Sequence, residues 1–281
     1  MSGMTLDDAR ALLEDTNLIT VGARGDDERR RRHGDRTTFV RVLEVHGDAV
    51  PSTLPASAKP GEIRVTGRPA SIEAAAASVK AARALAGAVP VTGYSLADLL
   101  QLADGGLIGA LRALASAGLQ IVAEAPLDLL TDPVASIRAA HEAGLQVPRL
   151  TVQRAPSDGP LDLLSQARRV QDAVGGIKVF APLARVSAVA QPSTGYDDVR
   201  LIAAARLVVD NIDSIQVDWA LYGPKLAQFA LTVGADDVDS VSPLEGDLGR
   251  RRSPIEEIRG NIRAAGLEPM ERNGLFAPIG Q

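Results

Sequence analysis

Along most of the chain, short apolar runs alternate with longer stretches whose apolar residues recur at helical spacing. In residues 71–86, Ile72, Ala75, Val79, Ala82 and Ala86 share one face, and Ser71 is placed to cap it. Similar patterns predict helices over 96–103, 107–117, 132–144, 161–174, 197–209, 224–233 and 253–265. Between them, short runs read as strands at 63–65, 89–92, 120–123, 150–152, 178–182, 214–219 and 237–241. The phrase Ala-Gly-Leu recurs at 117–119, 143–145 and 265–267. The glycine suits a left-handed helix end, and the leucine returns to the core before the next strand. Six or so such units fit a complete or partial (β/α) barrel. A doubly wound open sheet is the alternative, but no Gly-x-Gly-x-x-Gly follows the first strand. Two stretches break the rhythm. Residues 24–36 are highly charged, and residues 45–61 have the composition of a long, mobile loop.

Composition narrows the chemistry. The 281 residues are 46% hydrophobic, which excludes disorder as the main state. There is no cysteine, so disulfides, thiolate zinc sites, cysteine nucleophiles and cysteine-held iron–sulfur clusters are excluded. Three histidines (His33, His46 and His141) are too few and too scattered for a multi-histidine metal site. A net charge of −5 argues against nucleic acid as a main partner. No apolar run approaches membrane-spanning length and no basic-plus-apolar leader opens the chain, so the expectation is a cytoplasmic protein with neither nucleic-acid nor membrane partners.

Several positions carry candidate chemistry, each beside a plainer reading. The run Arg29–Arg32 is flanked by Asp26, Asp27, Glu28 and Asp35, which favours internal pairing over a phosphate patch. The turn Thr66, Gly67, Arg68, Pro69 follows a strand and suits either an anion or a simple strand-to-helix turn. Asp128, Arg154, Arg185, Asp218, Asp236 and Asp237 read as lying at the C-terminal ends of strands, where a barrel binds ligands. Asp236 and Asp237 form an adjacent pair without a third metal ligand in register, so no metal is assigned. Trp219, the one tryptophan, could stack on a flat ring or pack in the core.

The stretch from Gly195 to Trp219, then Gly223-Pro-Lys-Leu-Ala-Gln and Gly234-Ala-Asp-Asp-Val, resembles the radical SAM enzymes of the futalosine route to menaquinone. These are aminofutalosine synthase and dehypoxanthine futalosine cyclase, relatives of the deazaflavin FO synthases. Ala140-His-Glu-Ala-Gly-Leu, residues 170–183 and residues 262–273 resemble the same family, and Arg30 to Arg36 resembles its lead-in to the cluster loop. The resemblance implies a radical SAM-like barrel. After that lead-in the family carries Cys-x3-Cys-x2-Cys, which holds a [4Fe–4S] cluster with SAM on its open iron; here the stretch from Thr37 to Gly61 stands in its place. Two turns that meet SAM in the family read Thr66-Gly-Arg-Pro and Glu124-Ala-Pro-Leu-Asp, whereas the wall from Gln216 to Asp237 is better kept.

The sequence therefore predicts an α/β, radical SAM-like TIM-type barrel, partial or complete. It divides into a helical lead-in at 1–36, a loop replacing the cluster segment at 37–62, and a barrel with a C-terminal helix at 63–281. The expected role is that of a pseudoenzyme without an iron–sulfur cluster, with SAM left as an open candidate. It would bind a nucleoside-like or aromatic carboxylate molecule, assist a cluster-bearing paralogue, or pair with a second copy. Thr66, Gly67, Arg68, Arg154, Arg185, Gln216, Trp219 and Asp237 are the ligand-binding candidates, with Tyr222 as a second stacking ring. The alternative is acid–base lyase or transferase chemistry at the barrel mouth through Asp128, Asp218 or Asp236.

Overall fold

A computed structural model describes residues 4–104, 106–154, 159–186, 195–245 and 254–280. Two helices, α1 (Leu6–Glu14) and α2 (Leu18–His33), lead into the first strand, β1 (Arg36–His46). Seven more strands follow in parallel: β2 (Glu62–Thr66), β3 (Val91–Ser95), β4 (Ile121–Pro126), β5 (Arg149–Val152), β6 (Val179–Ala184), β7 (Ser214–Asp218) and β8 (Asp237–Val241). Each pairs with the next, and β1 closes the ring by pairing with β8 through Thr38–Asp237 and with β2 through Val42–Glu62. The barrel is complete. Helices α3 (Ile72–Ala86), α4 (Leu96–Leu102), α5 (Leu107–Ser116), α6 (Pro133–Glu142), α7 (Pro160–Val174), α8 (Gly195–Val208), α9 (Trp219–Leu231) and α10 (Pro254–Ala264) surround it. A ninth strand, β9 (Glu268–Glu271), runs beside the first half of β1, below the point where β2 takes over that edge.

Local chemistry explains the repeat. The Ser71 side chain accepts from the Ala74 N–H at the start of α3, and Asp132 accepts from Ala135 at the start of α6, with Pro133 in the first turn. At the three Ala-Gly-Leu phrases the leucine N–H returns to a carbonyl five residues back: Leu119 to Leu114 (3.1 Å), Leu145 to Ala140 (2.9 Å) and Leu267 to Ile262 (3.1 Å). The glycines between have positive φ, and each leucine is buried. The outward strand faces, including Phe39, Ile63, Leu150, Phe180, Ile215 and Val238, pack under the helices as one apolar layer.

The segment 37–62 is not a loop throughout. Its first part is β1, so the barrel begins at Arg36 rather than at residue 63. The run Thr-Thr-Phe-Val-Arg-Val-Leu is rich in β-branched and aromatic residues, and strand pairing follows from that composition. What β1 lacks is a following α-helix. Residues 47–61 contain one 3₁₀ turn (Gly47–Ala49) and return to the start of β2 as irregular chain with bends, a turn and an isolated bridge from Ala58 to Leu244. This return is tied to the segment after β8 by Lys59 N–H to Pro243 O (2.9 Å), Glu245 N–H to Ser57 O (3.0 Å) and a Lys59–Glu245 ion pair (2.9 Å). No helix among the described residues is long and apolar enough to cross a membrane.

Candidate functional site

The pleat decides which side chains enter the barrel. On β2, Ile63 and Val65 pack outward, so Glu62, Arg64 and Thr66 face inward; on β5, Leu150 and Val152 leave Arg149 and Thr151 inside. By the same alternation Gln216 and Asp218 of β7, with Asp237 and Asp239 of β8, enter the lumen. The lumen is therefore charged, where such barrels are usually filled with branched apolar residues. Arg64 grips Asp239 with both terminal nitrogens (2.9 and 3.0 Å) and Glu62 with Nε (2.7 Å). Arg149 reaches the same Asp239 at 2.8 Å. Strands β2, β5 and β8 are not neighbours, so these side chains meet only across the lumen.

Charges this deeply buried persist only when paired. Burial opposes ionisation of Glu62 and Asp239, and the Arg64 and Arg149 guanidiniums override it, holding both carboxyls below the usual range. Arg64 is raised well above its ordinary value because Asp239 and Glu62 outweigh its burial. Arg149 moves the other way. Burial and the like charge of Arg64 pull it down, and its carboxylate partner Asp239 is already held bidentately by Arg64. The Nε of Arg149 is buried and has no hydrogen-bond partner. A buried donor left unpaired costs about 1–3 kcal/mol, more when charged.

Above Arg149, at the C-terminal mouth, a cavity of about 280 Å³ opens. Arg64, Arg149 and Arg185 line its depth, Glu124 its wall, and Gly67 and Arg68 its rim. Arg185 lies 3.0 Å from Asp218 and 3.7 Å from Glu124, and these carboxylates hold its charge against burial. Glu124 also accepts from Gln153 Nε2 (2.9 Å). Gly67 has φ +89°, and a Cβ there would sit 2.5 Å from the His46 ring, so the rim turn requires glycine twice over. Arg68 is 62% exposed, donates to Gln101, and lies 3.8 Å from Asp98.

The opposite face is closed chemically. Asp236 and Asp237 precede and begin β8, so they lie at the N-terminal floor and not at the mouth expected for them. Asp236 accepts from Arg206, Ser214 Oγ (2.8 Å) and the Ile215 N–H (2.9 Å), with His33 Nε2 at 3.2 Å. Asp237 takes two nitrogens of Arg272 (2.6 and 2.7 Å), Gln216 Nε2 (2.6 Å) and Thr38 Oγ1 (2.5 Å). Against burial, Arg272 holds the Asp237 carboxyl below its ordinary range.

The remaining sequence candidates scatter. Thr66, Gly67, Arg68 and Arg185 line the cavity. Asp128 is exposed, and its two oxygens accept from the backbone N–H groups of Gln153 (2.8 Å) and Arg154 (2.9 Å), so it closes a turn; the Arg154 side chain is exposed outside the cavity lining. Asp218 caps α9 through Leu221 N–H (3.0 Å) while holding Arg185 and Ser240. Trp219 begins α9 packed against the core, and the Tyr222 hydroxyl is bound to the Leu183 and Ala184 carbonyls (3.0 Å each), so neither ring is offered to the cavity. Gln216 is buried against Asp237, below the cavity. The acidic flank pairs the Arg29–Arg32 run, as in Arg31–Glu28 and Arg30–Asp26 (2.7 and 2.8 Å). Arg64 and Arg149, the deepest cationic residues of the cavity, were not among the sequence candidates. Their signal is a lone arginine inside an apolar strand run.

Known proteins resemble this arrangement in part. The family model for the CofH/MqnC C-terminal region matches residues 179–279. The chain is 32% identical over 161 residues to the aminodeoxyfutalosine synthase of Streptomyces coelicolor, covering 48% of this chain and 41% of that protein. It is 33% identical over 162 residues to the 5-amino-6-(D-ribitylamino)uracil–L-tyrosine 4-hydroxyphenyl transferase of Methanopyrus kandleri, covering 51% and 44%. These matches span less than half the length of either relative. In fold, the crystal structure of methylornithine synthase superposes with a TM-score of 0.65 at 14% identity, over 95% of this chain and 94% of that one. A [4Fe–4S] cluster held by cysteines does not fit the residues present. The sequence has no cysteine, and among the described residues no three His, Asp or Glu side chains gather as a metal site.

Proposed function

We propose that this chain, a cysteine-free relative of the radical SAM enzymes of the futalosine route to menaquinone, binds a small carboxylate-bearing molecule at its barrel mouth without radical chemistry. The observation that carries the reading is Arg149, a buried guanidinium with an unpaired Nε and a shared counterion, set under an open cavity. A ligand carboxylate in the cavity gives the guanidinium a second counterion, and charge-assisted hydrogen bonds to such a group contribute about 1.5–3 kcal/mol each. Arg185 lines the same depth and adds a second guanidinium. The cavity is small for a ligand site, which favours a compact acid over a whole nucleoside. Acid–base chemistry is the less supported reading, because Asp128 and Asp218 are engaged by backbone or guanidinium and Asp236 lies at the floor.

The test is calorimetric titration of the whole chain with benzoate, beside Arg149→Met. Saturable heat is expected for the unaltered protein, with affinity at least about tenfold weaker in the variant. No heat in the unaltered protein, or equal affinity in R149M, contradicts the reading. Anaerobic iron–sulfide reconstitution is expected to leave the protein without charge-transfer absorbance, and a stoichiometric cluster would overturn the non-radical part.

A further inference from the structure

Strand β8 does not keep a regular pleat. Against β1, Phe39 stands opposite Val238 and Arg41 opposite Val241, so two residues of β8, Asp239 and Ser240, face the single residue Val40. This is a β-bulge, a feature that re-aims a side chain. Regular alternation would send Asp239 into the lumen and Ser240 out beneath the helices. Ser240 instead has φ +56°, a left-handed backbone that favours glycine, and its hydroxyl stays with the lumen charges. Its Oγ accepts from Arg64 Nη1 (3.3 Å) and donates to Asp218 Oδ2 (3.1 Å). That same Oδ2 accepts from Arg185 Nη2 (3.0 Å). The serine therefore links two groups. On one side, Arg64 and Arg149 share Asp239; on the other, Asp218 holds Arg185. Arg149 and Arg185 both line the mouth cavity, while Ser240 lies outside its lining.

Resting on the carboxylate-binding reading above, we infer that Ser240 is a positioning residue for that site: its hydroxyl fixes the Asp218 carboxylate and, through it, the Arg185 guanidinium in the cavity. Glycine would take the left-handed backbone freely but could make neither hydrogen bond, so the strained serine is explained by the link it makes. Asp218 Oδ1 is occupied by the Leu221 N–H (3.0 Å), so the aim of Oδ2 toward Arg185 is set between the start of α9 and Ser240. Glu124, the other carboxylate beside Arg185, stands at 3.7 Å and accepts from Gln153. Removing the Ser240 hydroxyl leaves Arg64 on Asp239 and Arg185 on Asp218, so the charges stay paired and only their alignment loosens.

The test compares Ser240→Gly and Ser240→Ala, alone and combined with Arg185→Met, by calorimetry with benzoate and by urea unfolding of the whole chain. Both serine variants are expected to bind benzoate about fivefold more weakly than the unaltered chain. S240G is expected to be at least as stable as S240A, because it also relieves the left-handed backbone. In the R185M background, where Arg149 remains, the same substitutions are expected to change affinity by less than about twofold, since the link then has nothing to position. In the free protein, the ¹⁵N signal of the Arg185 Nε–H, assigned by its absence in R185M, is expected to shift in both serine variants while that of Arg272 does not. Affinity in S240G within about twofold of the unaltered chain, or an equal loss in the R185M background, overturns this inference while leaving the carboxylate reading standing. An affinity loss confined to S240A does the same, because it follows the backbone and not the hydroxyl. An unmoved Arg185 signal overturns the inference whether or not benzoate binds. No benzoate heat in the unaltered chain overturns the carboxylate reading, and the Arg185 signal alone then decides whether Ser240 positions that arginine.

Discussion

The mouth and the floor of this barrel carry similar charge and treat it differently. At the floor, Asp237 is enclosed by Arg272, Gln216 and Thr38, and Asp236 by Arg206, Ser214, His33 and a backbone N–H. At the mouth, two guanidiniums converge on Asp239, one of them keeps an unpaired Nε, and a cavity lies above. The contrast teaches that ionisable residues alone do not mark a site. The floor also has a cavity, of about 250 Å³, but Asp236, which lines it, and Asp237, beneath it, are already paired. What distinguishes the mouth is a guanidinium that lines an open cavity while sharing its carboxylate with a second arginine.

The largest effect that sharpens this contrast belongs to the floor. Asp237→Asn leaves Arg272 buried without its counterion, and breaking such a pair costs about 3–5 kcal/mol. Urea unfolding is expected to show that loss. A change below about 1 kcal/mol would mean that the floor is not closed by this pair.

A second effect appears on acidification. Asp237 and Asp239 are held below the usual carboxyl range by facing guanidiniums, against burial. An unfolded aspartate titrates near pH 3.9. With the folded pKa depressed, the stabilisation is fully present above that value and is lost as pH falls through the lower folded pKa. Unfolding midpoints are therefore expected to fall steeply below about pH 4, with a shallower acid limb in D237N. Equal slopes in the two proteins would remove Asp237 from that account.

The smallest expected effect is the most discriminating. Arg149→Met removes a guanidinium whose counterion keeps Arg64, so Asp239 stays paired. Stability is expected to change by less than about 1.5 kcal/mol in either direction, since apolar replacement of a strained buried ion is often neutral or favourable. If R149M unfolds as readily as D237N, mouth and floor do not differ as described.

Much of the fold is legible in the sequence. The Ala-Gly-Leu phrases at Gly118, Gly144 and Gly266 are read the same way in sequence and structure, because a left-handed helix end needs glycine locally whatever surrounds it. The first strand was missed although Thr37 to Val45 is rich in strand-forming residues, because the resemblance placed a cluster loop over it. Site residues were harder to read. Arg185 and Arg68 follow strand ends and were visible as rim charges. Arg64 and Arg149 lie inside strands, and which face a lone arginine takes depends on register and closure, which are not local properties. Asp236 and Asp237 are different: the strand read at 237–241 agrees with the structure and by itself puts them at its N-terminal end, so their place at the floor is legible locally and the expectation of a mouth position goes against it.

The central claim rests on Arg149, whose guanidinium lines the mouth cavity and shares its counterion. It is tested most directly by the ¹⁵N spectrum of the arginine Nε–H groups during titration with benzoate, with Arg149 assigned by its absence in R149M. The Arg149 signal is expected to move saturably as acid is added, while that of Arg272, closed on Asp237, stays in place. An Arg149 signal that does not respond, or an Arg272 signal that moves with it, would contradict the account.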